Sequence, residues 1–370
     1  MSMIDLDQMA GRAGRLDCVC PPEEAGRRAS EGLWRLAAGF GLAVLAQTLV
    51  LAALPVSAAA IAPQPWLAGA PYALTLLGAT LATFPAAFLV DSFGRRGALA
   101  LGASLGIAGG ALAAFASLHR EFLLLCVGAF WLGVSNGFAL FYRHAAAAGP
   151  SGARGGAFVF AGGAVAALAA PTLLQLASDH AGPFADAWAL AAAGVVDLLA
   201  LLVAIFLPHA LARPREEASS QAGAGRFYIA TALGALAWFA MTAMMARAAS
   251  SLIGCGATAS AVGGVIAWHL MAMYAPSALL RLSPWTPPAA LTLGAGFALL
   301  AGGLALFVGS ADTARIAVAM VAAGAGWSLA NAGLLQVLYA RGSPSRAMLA
   351  GHDFALFGAA LAGAMAAPLV

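Results

Sequence analysis

Apolar runs of about 20 residues follow one another along the whole chain, separated by short polar breaks, and each is long enough for a helix to cross a bilayer. Eleven such runs fall at roughly 35–54, 67–90, 97–117, 121–143, 154–177, 186–208, 227–248, 257–280, 289–309, 313–340 and 347–369. They are rich in Ala, Gly and Leu, the small-residue composition that lets membrane helices pack closely. A membrane β-barrel would instead show weak alternation in segments of about ten residues. The pattern predicts an all-α membrane protein.

The breaks organise the runs. Residues 1–30 form a polar tail with no apolar core near its start, so the tail is not read as a cleavable leader. The one long internal break is 209–226, HALARPREEASSQAGAGR, whose Ala, Ser, Gly and mixed charge read as a flexible linker. Six spans precede it (31–208) and five follow (227–370), so the break divides the spans into two groups. If the halves are repeats, a twelfth span is missing or unrecognised at the C-terminal end.

Composition agrees: 62% of the 370 residues are hydrophobic and 9% charged, against about 25% charged in soluble domains. The net charge of +3 matters less than its placement. All 18 basic residues are Arg, and most fall on alternate breaks: Arg12, Arg15, Arg27 and Arg28 in the tail, Arg95 and Arg96, Arg143 and Arg154, the 209–226 linker, Arg281, Arg341 and Arg346. The positive-inside rule makes that side, and the N-terminus, cytoplasmic. Four Cys do not suggest a disulfide framework, because Cys18 and Cys20 lie in the tail on the reducing side. They could hold a soft metal as a thiolate pair, or be unremarkable thiols.

Chemistry concentrates in the seventh and eighth spans. Met241-x-x-x-Met245 and His269-x-x-x-Met273 each place two side chains on one helix face, about a turn apart. Thioether and imidazole together suit Cu(I), and neither brings a charge into the membrane. Met also fills gaps in apolar cores, so packing is the competing explanation. Five of the eight Met beyond the tail fall between 241 and 273. At about 1.5 Å per residue the four side chains would descend from the outer to the inner half of the membrane. Cys255, at the outer mouth, could make the first contact. Asp197 in the sixth span and Asp353 in the eleventh could carry a coupling proton or pair with polar neighbours. No phosphate loop or catalytic constellation stands outside the spans, so no enzyme is expected.

The stretch Asp91-Ser-Phe-Gly94-Arg95-Arg96 resembles the D-x-x-G-R-R loop of major facilitator superfamily transporters. That resemblance implies two pseudo-repeated bundles, about eleven or twelve helices, and a gate formed by Asp91, Gly94, Arg95 and Arg96. The segments MTAMM, IGCGA and WHLMAMYAPS further resemble the CcoA-like branch, bacterial inner-membrane importers that supply copper for cytochrome c oxidase assembly. The implied ligands are Met241, Met245, His269 and Met273, with copper as transported ion. The implied partners are the lipid bilayer and a cytoplasmic copper chaperone, for a monomer with no nucleic-acid partner. Relatives in the branch carry other cargo, riboflavin among them, so an organic-solute or drug transporter is the first alternative. A copper-binding assembly or sensor protein that moves nothing is the second.

Overall fold

The computed structural model describes residues 22–208, 224–283 and 285–367. Cys18, Cys20 and nearly all of the linker therefore lie outside the described residues. Twelve α-helices carry the described chain: α1 Pro22–Ile61, α2 Ala70–His119, α3 Phe122–Ala139, α4 Phe141–Ala147, α5 Gly152–Ala161 and α6 Ala164–Ala181, then α7 Ala185–Ile205, α8 Ala224–Gly254, α9 Ala259–Leu282, α10 Ala289–Phe307, α11 Thr313–Tyr339 and α12 Arg346–Ala366. The architecture is all-helical, in two bundles.

By length and hydropathy, nine segments among the described residues can cross a membrane. Two of them, Pro65–His119 and Gly152–Ile205, run 55 and 54 residues. Straight, each would exceed about 80 Å, far beyond a bilayer core of about 30 Å. Each reverses instead. In α2 the reversal is at Gly94, whose φ of 75° and ψ of 164° lie outside any helix and are open to a residue without a Cβ. Gly78 and Gly109, on opposite arms of α2, both lie against the stretch Gly128–Val134 of α3, as folded-back arms must. The second reversal falls at Gly182, in the 3₁₀ turn Gly182–Phe184 between α6 and α7. With both counted, eleven crossings emerge among the described residues, at the places the apolar runs predict.

The burial pattern is that of a membrane bundle. Leu123, Leu168 and Phe88 are 78%, 69% and 66% exposed on the outside, whereas Arg143, His144, Asp197, His269 and Asp353 are buried within. With lipid as solvent, apolar groups lose nothing by facing out, and polar groups must find partners inside. Trp34, Trp66 and Trp285, near segment ends, are exposed, as interfacial Trp is.

Helices approach closely where glycines face each other. A Cβ on Gly296 would stand 2.7 Å from the Ala330 nitrogen, and one on Gly326 would stand 2.6 Å from the Gly296 carbonyl oxygen. This reciprocal contact sets the distance between α10 and α11. Gly302, six residues further along α10 and on another face, has nothing within 4 Å of its Cβ position. Gly326→Val should therefore lower the melting temperature of the purified protein, by overpacking worth about 1–3 kcal/mol, while Gly302→Ala should leave it unchanged or slightly higher. Equal melting curves would contradict this packing.

Candidate functional site

Two features stand out in the interior: the buried Met and His side chains of α8 and α9, and an ion-pair network across the bundles. The first is built from α8 and α9. Met241, Met244 and Met273 belong to an extended buried core that also takes in Tyr274, Met320 and Trp327, with Met245 and Cys255 partly buried against it; α8 and α9 each pack on α11 far more than on each other. Cys255 falls in the short connection between α8 and α9. His269 is 1% exposed. Its Nδ1–H donates to the Met320 carbonyl oxygen of α11 at 2.7 Å, because a carbonyl can only accept. That fixes the ring's orientation and leaves Nε2 as an unprotonated acceptor. Nε2 is buried and has no hydrogen-bond partner. The spacing of His269 and Met273 was readable in the sequence; the Met320 contact was not, since it comes from the backbone of a distant helix.

Among the described residues no group of three or more His, Cys, Asp or Glu converges as a metal site. Metal chemistry at this cluster would therefore rest on thioethers and a single imidazole. Aromatic rings wall the same region. Phe160 of α5 stacks on Phe40 of α1 with centroids 5.4 Å apart, and contacts Tyr274 and Trp327 at 5.3 and 5.2 Å. Trp238 lies 5.2 Å from both Trp327 and Phe357. These rings come from both bundles.

The second feature was missed by sequence reading. By its place near a span end Arg143 reads as a charge flanking a loop, but it is 1% exposed in α4. Its Nη2 donates to Asp353 Oδ1 of α12 at 2.8 Å and its Nη1 to Asn331 Oδ1 of α11 at 3.1 Å. His144 Nε2–H donates to the same carboxylate at 3.1 Å, and the Tyr339 hydroxyl donates to His144 Nδ1 at 3.1 Å. Trp238 Nε1–H reaches Asn331 Oδ1 at 3.3 Å. Asp353 thus pairs with polar neighbours from the other bundle. A positive-inside count assigns an Arg near a span end to the surface, so only the neighbouring His144 and the distant Asp353 hinted at a buried pair.

The D-x-x-G-R-R stretch lies at the same end of the molecule. Asp91 Oδ1 meets Arg346 Nε of α12 at 2.6 Å, with the side chains 47% and 37% exposed. Arg95 donates from Nη2 to the Pro208 carbonyl at 2.9 Å, beyond the end of α7. The carboxylate thus pairs across the bundles, and Arg95 ties α2 to the segment that follows α7. Arg154 of α5 likewise donates to the Ser283 carbonyl after α9 at 2.8 Å. Arg96 follows Arg95 in α2 after the Gly94 reversal. The arginine-rich end is closed by these bridges. Asp197, on α7, belongs to neither feature.

Removing one partner from a buried pair strands the other charge, at a cost of about 3–5 kcal/mol, whereas replacing both with apolar groups is often neutral. Arg143→Met should melt well below wild type, and Arg143→Met with Asp353→Leu should recover most of the loss. Additive losses in the double variant would show that the two side chains do not depend on each other.

No family model matches the chain. It is 30% identical over 312 residues to the riboflavin transporter RfnT of Brucella anthropi, covering 80% of this chain and 78% of that protein. Solved structures share the fold. The proton:xylose symporter XylE gives a TM-score of 0.73 at 14% identity, over 92% of this chain and 89% of that one. The Escherichia coli fucose:proton symporter FucP gives 0.64 at 17%, over 91% and 90%. The human organic anion transporter MFSD10 gives 0.66 at 16%, over 95% and 93%. A relative this similar over four fifths of the chain, in a fold of paired helical bundles closed at the D-x-x-G-R-R end, makes this protein a member of the major facilitator superfamily of membrane transporters.

Proposed function

We propose that this transporter imports copper as Cu(I) across the bacterial inner membrane, with its N-terminus in the cytoplasm, for use in cytochrome c oxidase assembly. The carrying observation is the His269 ring. Its Nδ1–H is anchored on a backbone carbonyl and its buried Nε2 is unpartnered. Metal-binding imidazoles are held in this way, with the far nitrogen fixing the ring and the near one left to the metal. Met241 and Met273, both buried, and the partly buried Met245 would supply soft sulfur in a medium that excludes hard, hydrated ions. Few ligands at each step would let the ion enter and also leave. A cytoplasmic copper chaperone is the proposed acceptor, and the Asp91–Arg346 bridge the proposed inner gate.

A second reading has its own support. The relative of known cargo is named for riboflavin, and the aromatic wall of Phe40, Phe160, Tyr274 and Trp327 suits a planar heterocycle by stacking. In that case the Met and His side chains line an apolar cavity.

Copper accumulation at matched membrane expression separates the two. The Met241→Leu/Met245→Leu variant conserves volume, for which the stability cost is usually under about 1.5 kcal/mol, and its uptake should collapse. His269→Gln should abolish uptake, and His269→Met should keep part of it, because a thioether is still a soft ligand. Gln performing as well as Met would sink the copper reading. Growth of a riboflavin auxotroph on low vitamin, lost in Phe160→Ala and Trp327→Ala, would establish the second.

A further inference from the structure

The first bundle holds a carboxylate that neither reading uses. Asp197 is 3% exposed in the middle of α7. It lines two small cavities of about 10 Å³ each, which share Ser135 of α3. That is about the size needed for one water. Tyr142 of α4 lines the first, and Gln47 of α1 and Asn136 of α3 line the second. The Tyr142 hydroxyl is buried without a hydrogen-bond partner. Gly106 of α2 leaves the space between: a Cβ there would strike the Asp197 carboxylate and come within 2.7 Å of Ser135 Oγ.

No Arg or His lines either cavity. Of the groups facing Asp197 from α1, α2, α3 and α4, Tyr142 alone can titrate, and α6, on the other flank of α7, lends no group to either cavity. An ionised carboxylate with no counter-charge is among the costliest groups to hold inside a membrane protein. Here it lies among hydroxyl and amide oxygens with space for one small particle. One positive charge neutralises it, whereas a divalent ion would leave the cavity charged. Oxygen donors suit a hard ion and not a soft one, which separates this place chemically from the thioethers of α8 and α9.

We propose that Asp197, Ser135 and Tyr142 form a monovalent-cation site in the first bundle, binding one proton or one sodium ion, and that this ion is coupled to transport. The coupling part rests on the transporter reading but on neither cargo. Tyr142 supplies the connection. It is followed directly by Arg143 and His144, which pair with Asp353 across the bundles, on the short helix α4 that continues from the end of α3. A cation drawing the Tyr142 hydroxyl toward Asp197 would set the position of α4, and with it the bridge that closes the arginine-rich end.

The test needs no cargo. Purified full-length wild type and Asp197→Asn are melted from about pH 6 to about pH 9, in sodium chloride or in choline chloride of equal ionic strength. A ligand that binds the folded state raises the melting temperature with its activity. In choline, the wild type should lose several degrees more than Asp197→Asn as pH rises. Restoration by sodium at high pH, in wild type only, identifies a sodium site; a pH effect indifferent to sodium identifies a proton site. Asp197→Asn tracking the wild type in both salts overturns the proposal. If that variant cannot be recovered, Ser135→Ala keeps the carboxylate and should shift the pH or sodium midpoint, and an unmoved midpoint overturns it equally. Cells that take up neither copper nor riboflavin would defeat the cargo readings while leaving the melting result standing.

Discussion

The pairing of Arg143 with Asp353 is the interaction on which the closed arrangement depends. Both side chains are buried, and they belong to different bundles. Neither could be left alone at that depth without several kcal/mol of desolvation penalty. Redundancy shares the load: Asn331 and Asp353 both accept from Arg143, and His144 adds a second donor to the carboxylate. When the bundles part, Arg143 and His144 leave with the first and Asp353 and Asn331 stay with the second. Only incoming water can then satisfy them. Opening and wetting of that end are therefore one event, which gives the closed end a sharp boundary between dry and open states.

Around this bridge the lesser contacts are of another kind. Asp91–Arg346 is half exposed, and such pairs are worth about 0–1 kcal/mol. Their value is geometric: Arg95 on the Pro208 carbonyl and Arg154 on the Ser283 carbonyl tie helix ends together at one face. The energy of closure lies deeper, in the rings of Phe40, Phe160, Tyr274 and Trp327 that meet across the bundles, while the buried pair penalises any arrangement that strands one partner.

Much of the fold was legible because a bilayer imposes one length on every crossing, and the apolar runs carry that length in plain form. Gly94 was legible as a turn because it stands in a charged string between two such runs. The Met and His pairs were legible because helical spacing alone brings them to one face. What escaped had its cause outside local pattern. Arg143 reads as a surface charge until Asp353, 210 positions away, is brought beside it. The anchoring of His269 depends on a carbonyl, which sequence does not distinguish. Asp197 was visible as a lone acid, but the cavity beside it exists only where α1, α3 and α7 meet.

The placement of the two polar features constrains how any cargo could drive the cycle. A ligand shifts a conformational equilibrium only by as much as it binds the two states differently. Met241, Met245, His269 and Met273 all belong to α8 and α9, so an ion held by them alone touches one bundle and has little means of favouring one arrangement over the other. A planar solute among Phe40, Phe160, Tyr274 and Trp327 touches both bundles and could bias them by itself. If the cargo is copper, the bias has to come from a part of the molecule that reports to the cross-bundle bridge. In the first bundle that part is Tyr142, set between the Asp197 cavity and the residues that grip Asp353. Copper held by one bundle would therefore need a second ion to bias the cycle, whereas transport of an aromatic solute could proceed without the second site.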